Sequence, residues 1–215
     1  MRRLAPGERE RRLRFDFEVV ARLAAPWLQV AGFASIPALL SARDPVAPGT
    51  PGAAPPYVLA RYDFRTLAGP GRYQAATVVA FDLLAGGNYP FTPPAVTVLP
   101  PLPWNHRVQP ASGVVCIGSD WGDAGGQVLL AHLLVQVARI LNFDEPYSDS
   151  DWGYQPDAIR YWQETLRGHS LHRDLVYPAM PVEFTHGVAR SRPALRVLSP
   201  WPPTPSPRLR VRGRA

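Results

Sequence analysis

Residues 127–141 are apolar nearly all round. Leu130, Leu134, Val137 and Leu141 fall on one helical stripe, and Leu129 and Leu133 lie beside it. A helix with so little polar surface is stable only when other elements cover it on most sides. The pattern therefore predicts a central, largely buried helix, with His132 satisfied inside the core. With 215 residues, 46% of them hydrophobic, the chain can bury an ordinary core as one domain plus appendages.

The elements that would cover this helix are legible in order. Over residues 8–25, Leu13, Phe17, Val20 and Ala24 recur at i, i+4, i+7 and i+11, which predicts a helix stopped by Pro26. Its other side carries Arg11, Arg12 and Arg22, a basic outer face. Residues 28–36, 57–67, 73–83 and 95–99 read as strands. The Pro-, Gly- and Ala-rich stretch 42–56 reads as a surface loop, and Gly69-Pro70-Gly71 and Gly86-Gly87-Asn88 read as tight turns. Together they predict an antiparallel meander. A last helix is expected over 156–167, with Pro156 in its first turn and Ile159, Trp162 and Leu166 on one face. The fold class is thus α+β, with a domain over residues 1–180 and a Pro/Arg-rich tail over 181–215, flexible or loosely docked.

Residues 99–124 show little periodicity and hold Cys116, the one cysteine. A loop of that length in a compact domain is commonly functional. A single cysteine rules out an intramolecular disulfide and a Cys-rich zinc site, leaving Cys116 as either a small core hydrophobe or a reactive thiol. His169, His172 and His186 have no acid or Cys at ligand spacing, so no metal is expected. No apolar run approaches the ~20 residues of a membrane span, and no signal-peptide apolar stretch precedes the arginines of residues 9–14, so a cytoplasmic protein is expected. Charge is uneven: +4 over residues 1–14, −5 over 15–187 and +7 over 188–215. All 23 basic residues are Arg. A chain without lysine has no lysine amine of its own to offer an activated acyl group.

Local motifs carry a resemblance. Tyr89-Pro90-Phe91-Thr92-Pro93-Pro94-Ala95-Val96, then Gly113-Val114-Val115-Cys116-Ile117 with Trp121 after it, then Asn142-Phe143-Asp144-Glu145-Pro146, occur in that order. In sequence and in element order the chain resembles the ubiquitin-conjugating (E2) family, over about three quarters of its length. One departure is plain. The family's His-Pro-Asn tripeptide has its His ten residues before the cysteine, and here His106-Arg107-Val108 stands there, keeping the His and losing the Asn. Divergent bacterial relatives of the family also lack a full tripeptide.

The resemblance implies a UBC-like domain in which Cys116 accepts a ubiquitin-like protein as a thioester from an activating (E1) enzyme and passes it to an amine of a target protein. The chemistry suits a thiolate, which both accepts an acyl group and leaves. His106 is then a loop brace or an oxyanion donor, Asn105 a substitute donor, and Glu145 the acid that orients the amine and takes its proton. Arg11, Arg12 and Arg14 match the region through which family members dock on the activating enzyme. No cofactor is implied, since ATP is used by the activating enzyme, and neither membrane nor nucleic acid is favoured as a partner. Bacterial relatives of this kind stand in anti-phage defence operons. Two rival readings remain: a non-catalytic E2-variant binding module, and a Cys116/His106 hydrolase.

Overall fold

In a computed structural model of the chain, residues 5–118, 127–144 and 153–179 are described, all of them within one unit, Met1–Met180. The apolar segment forms a helix at Leu130–Leu141 (α3), starting three residues later than its apolar pattern. Nine of its twelve residues are buried, which leaves only His132, Gln136 and Arg139 partly exposed. His132 is half-buried as the first-turn cap, its Nδ1 accepting the Leu129 N–H, and burial holds its pKa below the ordinary value.

Four strands form an antiparallel sheet against this helix: β1 (Leu28–Phe33), β2 (Tyr57–Tyr62), β5 (Thr77–Asp82) and β6 (Ala95–Leu99), in the order β1-β2-β5-β6. Alternation puts Val58, Ala60 and Tyr62, Val79 and Phe81, and Val96 and Val98 into one core with α3. Tyr62 crosses that core to donate its hydroxyl to the Leu134 carbonyl at 3.0 Å. The second and third of the expected strands, like the first, are shorter than their apolar runs. Between them, β3 (Thr66–Gly69) and β4 (Arg72–Gln74) form a separate hairpin around the Gly-Pro-Gly turn. The break falls at Asp63, whose N–H is taken by the Trp27 carbonyl and whose carboxylate holds Arg61 and Gln29. Asp is disfavoured in strand interiors because its short polar side chain competes for such local bonds.

A short helix at Ile36–Ser41 (α2) replaces the expected end of the first strand. Ser35 caps it by accepting the Ala38 N–H, and Pro37 sits in the first turn. Six residues are too few to show periodicity, but Ser-Ile-Pro was a readable start signal. The last helix, α4, spans Pro156–Glu164 and buries Ala158, Ile159 and Trp162. It stops short of residue 167 because Arg167 and Gly168 take left-handed conformations and the Gly168 N–H turns back to the Trp162 carbonyl.

The first helix, α1, runs Pro6–Val20, starting two residues earlier and ending five residues earlier than its apolar stripe suggested. Its end tightens into i→i−3 bonds from Arg22 to Val19 and from Leu23 to Val20, and Ala24 is exposed. Leu13, Phe17 and Val20 are buried as expected. So is Asp16, fully. Its Oδ2 accepts the Arg12 guanidinium and the Tyr89 hydroxyl, each at 2.6 Å, and its Oδ1 accepts the Leu130 N–H at 3.3 Å. Burial pushes the Asp16 carboxyl above its ordinary pKa, and Arg12, Tyr89 and Leu130 only partly oppose that push. Desolvation thus outweighs the ion pair, and what the cluster supplies is geometry: it fixes α1 against the first turn of α3. Replacing Asp16 with Ala strands Arg12, Tyr89 and an amide together. Asp16→Ala is therefore expected to lower unfolding free energy in urea by about 3–5 kcal/mol, and Asp16→Asn, which keeps an acceptor, by clearly less.

Candidate functional site

After β6 the chain passes the Pro100–Pro101 bond, which is cis, and is caught when the Trp104 N–H meets the Leu67 carbonyl at 2.6 Å. Asn105 and His106 follow, 1% and 0% exposed. The Asn105 Nδ2 donates to the Ile140 carbonyl at the end of α3, and its Oδ1 accepts the Arg107 N–H. Gln155 closes the same corner by donating to the carbonyls of Asn105 and Val108. The His106 ring lies 5.8 Å from that of Phe143, and its carbonyl accepts the Tyr154 N–H. Gly153 passes so close that a Cβ there would stand 2.7 Å from the His106 carbonyl oxygen. These two residues are the buried floor of the loop.

Above that floor lies a small hairpin. Val108 pairs with Val115, the Gln109 N–H donates to Val114, and the Cys116 N–H donates to the Arg107 carbonyl at 2.8 Å. Pro110, Ala111 and Ser112 make the turn, and Gly113 ends it at φ +75°. Only glycine fits there, because a Cβ would stand 2.3 Å from the Val98 carbonyl oxygen. The returning arm bonds to β6 through Val98 N–H to Gly113 and Val115 N–H to Val96.

Cys116 leaves this hairpin with its thiol half-buried and unpaired with another cysteine. Its main chain is held before the thiol by Arg107 and after it by α3, where the Gln136 side chain donates to the Ile117 carbonyl at 2.7 Å. The Arg107 guanidinium reaches back across the hairpin to place Nη1 3.9 Å from Sγ. The thiol is thus positioned by main-chain bonds, partly accessible, and beside a cation.

The structure sorts the residues singled out from sequence. It brings Asn105 and His106 into the base of the Cys116 loop, with their side chains turned to the core rather than to solvent. Glu145, Trp121 and the tail from residue 181 lie outside the described residues. Arg11 is exposed on α1, and Arg14 pairs with Glu10 at 2.8 Å. Arg12 does not share their outer face: its side chain is 17% exposed, bound to Asp16 and to the Val128 carbonyl. Among the described residues no three His, Cys, Asp or Glu side chains converge as metal ligands would, and the His172 Nε2 donates to the Arg65 carbonyl at 2.8 Å.

Sequence reasoning missed Arg107 and Gln136. Arg107 was readable: a Pro-Ala-Ser-Gly turn flanked by Val108 and Val115 places the next pair out, Arg107 and Cys116, opposite each other. Gln136 gave no signal, since one amide on an apolar helix does not reveal its partner. Asn142 was read only as part of a motif, yet its side chain bonds Asp144, Tyr177 and both main-chain groups of His172, tying residues 171–177 to the end of α3. Tyr177 is driven far above its ordinary pKa, chiefly by burial.

Comparison of the chain with protein-family models and with curated proteins gives no match. Among the described residues no helix is long and apolar enough to cross a membrane. The site's geometry makes one direct prediction. Asn105→Ala removes the side-chain hydrogen bonds to Ile140 and Arg107 at the base of the Cys116 loop. It is expected to cost about 2–3 kcal/mol of stability and to speed iodoacetamide labelling of Cys116 in the native protein, measured by intact mass.

Proposed function

We propose that this chain is a UBC-like acyl carrier: Cys116 takes the C-terminal carboxyl of a ubiquitin-like protein from an activating enzyme as a thioester and passes it to an amine of a protein target. The observation that carries the reading is the half-buried Cys116 thiol at the end of a hairpin, fixed by main-chain bonds on both sides, within an α+β frame whose motifs run in the conjugating-family order. A carrier needs a thiol held in place yet open to two successive protein partners, and a thiol deep in a core serves neither. No lysine competes within the chain for the activated acyl group. A role in bacterial anti-phage defence follows from the family resemblance alone.

A non-catalytic binding module is the second reading. The burial of Asn105 favours it, since its amide serves the fold and the tripeptide Asn is missing. A Cys116/His106 hydrolase is disfavoured, because a His with no exposed surface cannot exchange protons with an incoming water. Incubation with an E1-like activating enzyme, its modifier and ATP separates the three. The carrier gives a band that reducing agent removes and that Cys116→Ser abolishes; a binder gives none, and a hydrolase cleaves a preformed conjugate instead.

The basic face of α1 makes a second expectation. If Arg11 docks the activating enzyme, Arg11→Glu should slow loading several-fold at low salt, less at high salt, with unchanged urea stability. Arg12→Glu should instead destabilise the fold through Asp16. Equal loading by Arg11→Glu and wild type would remove α1 from docking.

A further inference from the structure

Acyl transfer from a thioester passes through a tetrahedral oxyanion, and the residues expected to steady it here are otherwise engaged. Asn105 gives its Nδ2 to Ile140 and its Oδ1 to Arg107, and His106 has no exposed surface. The group actually at the sulphur is Arg107, with Nη1 3.9 Å from Sγ. Two main-chain bonds hold it there: its N–H to the Asn105 side chain and its carbonyl to the Cys116 N–H. The register of the hairpin sets Arg107 opposite Cys116.

We infer that Arg107 is the oxyanion donor of Cys116 acyl transfer, standing in for the missing amide. The inference rests on the carrier reading above. In an acylated Cys116 the carbonyl oxygen is one carbon from Sγ, within reach of a donor that already touches the sulphur. A guanidinium is a permanent cation with five N–H donors, so it can follow that oxygen as it turns from planar carbonyl to tetrahedral alkoxide. In the step itself, the amine nitrogen forms a bond to the carbonyl carbon and the oxygen takes up the π electrons, with Arg107 donating to it. The oxyanion then collapses, the carbon–sulphur bond breaks, and Cys116 leaves as thiolate. The proton lost from the amine goes to solvent. Charge develops on the oxygen only in the transition state, so a donor there speeds reaction more than it tightens binding.

The test needs no partner protein. Treating the chain with a small acetyl thioester transfers acetyl to Cys116. With one cysteine and no lysine, a gain in intact mass that a thiol reagent reverses reports that site. Discharge of acetyl-Cys116 by lysine amide is then timed against discharge of S-acetyl-N-acetylcysteine. Wild type is expected to discharge faster than the free thioester, Arg107→Gln about 10- to 100-fold slower than wild type, and Arg107→Lys in between. Iodoacetamide alkylation of the unacylated thiol is run on all three proteins. An effect confined to alkylation marks Arg107 as a thiolate partner and overturns the inference. Wild-type discharge in Arg107→Gln, with wild type still faster than the free thioester, also overturns it and leaves the carrier reading standing. Discharge of wild type no faster than the free thioester sinks the carrier reading itself. Should Arg107→Gln fail to fold by circular dichroism, Arg107→Lys decides: undiminished discharge overturns the donor role.

Discussion

Helix α3 has almost no face for water, and several neighbouring segments are fastened to it by specific polar bonds as well as by apolar contact. Asp16 of α1 takes the amide of Leu130 at its start. Tyr62 of β2 takes the carbonyl of Leu134 in its middle, and Gln136 reaches out to Ile117 beside the thiol. At its end, Ile140 accepts from Asn105, and Asn142 gathers the segment around His172 and Tyr177. Apolar packing supplies most of the driving force but is indifferent to small shifts in register. These polar bonds, each costly to leave unmade inside the core, select one register. The position of Cys116 is inherited from that helix at two points, the floor residue Asn105 and the clamp at Ile117.

This division explains how much the sequence disclosed. Apolar periodicity disclosed α3, the helix-facing side of the strands and the buried face of α4, because those depend on side-chain type at fixed spacing. It overran at the ends of α1 and α4, where Arg22 and Gly168 turn the chain by local hydrogen bonds that apolar spacing does not record. It missed Asp16 because a carboxylate inside an apolar stripe reads as a solvated residue. Only the approach of Arg12, Tyr89 and Leu130, from three parts of the chain, makes its burial tolerable.

At the site, the cysteine and its extended setting were visible as motif, whereas its companions were not. The eye goes to Asn105, His106 and Glu145 because they resemble catalytic types. The structure spends the first two on holding the loop, and the cation beside the sulphur comes from a residue whose type suggested a solvated surface. Residue type marks what chemistry is available; hairpin register decides which residue meets the thiol. The Val108–Val115 pairing was in principle predictable from its turn, and with it the facing of Arg107 and Cys116.

The hairpin that carries Cys116 is also the cover on the outer edge of the sheet, since Gly113 and Val115 bond the backbone of β6 at Val98 and Val96. An uncovered edge strand presents unpaired amides to any other strand it meets. The Cys116 loop therefore cannot swing freely without exposing an adhesive surface. Solubility and chemistry are coupled here, and variants that loosen the hairpin should be lost first to self-association, before any change in the thiol's reactivity can be observed.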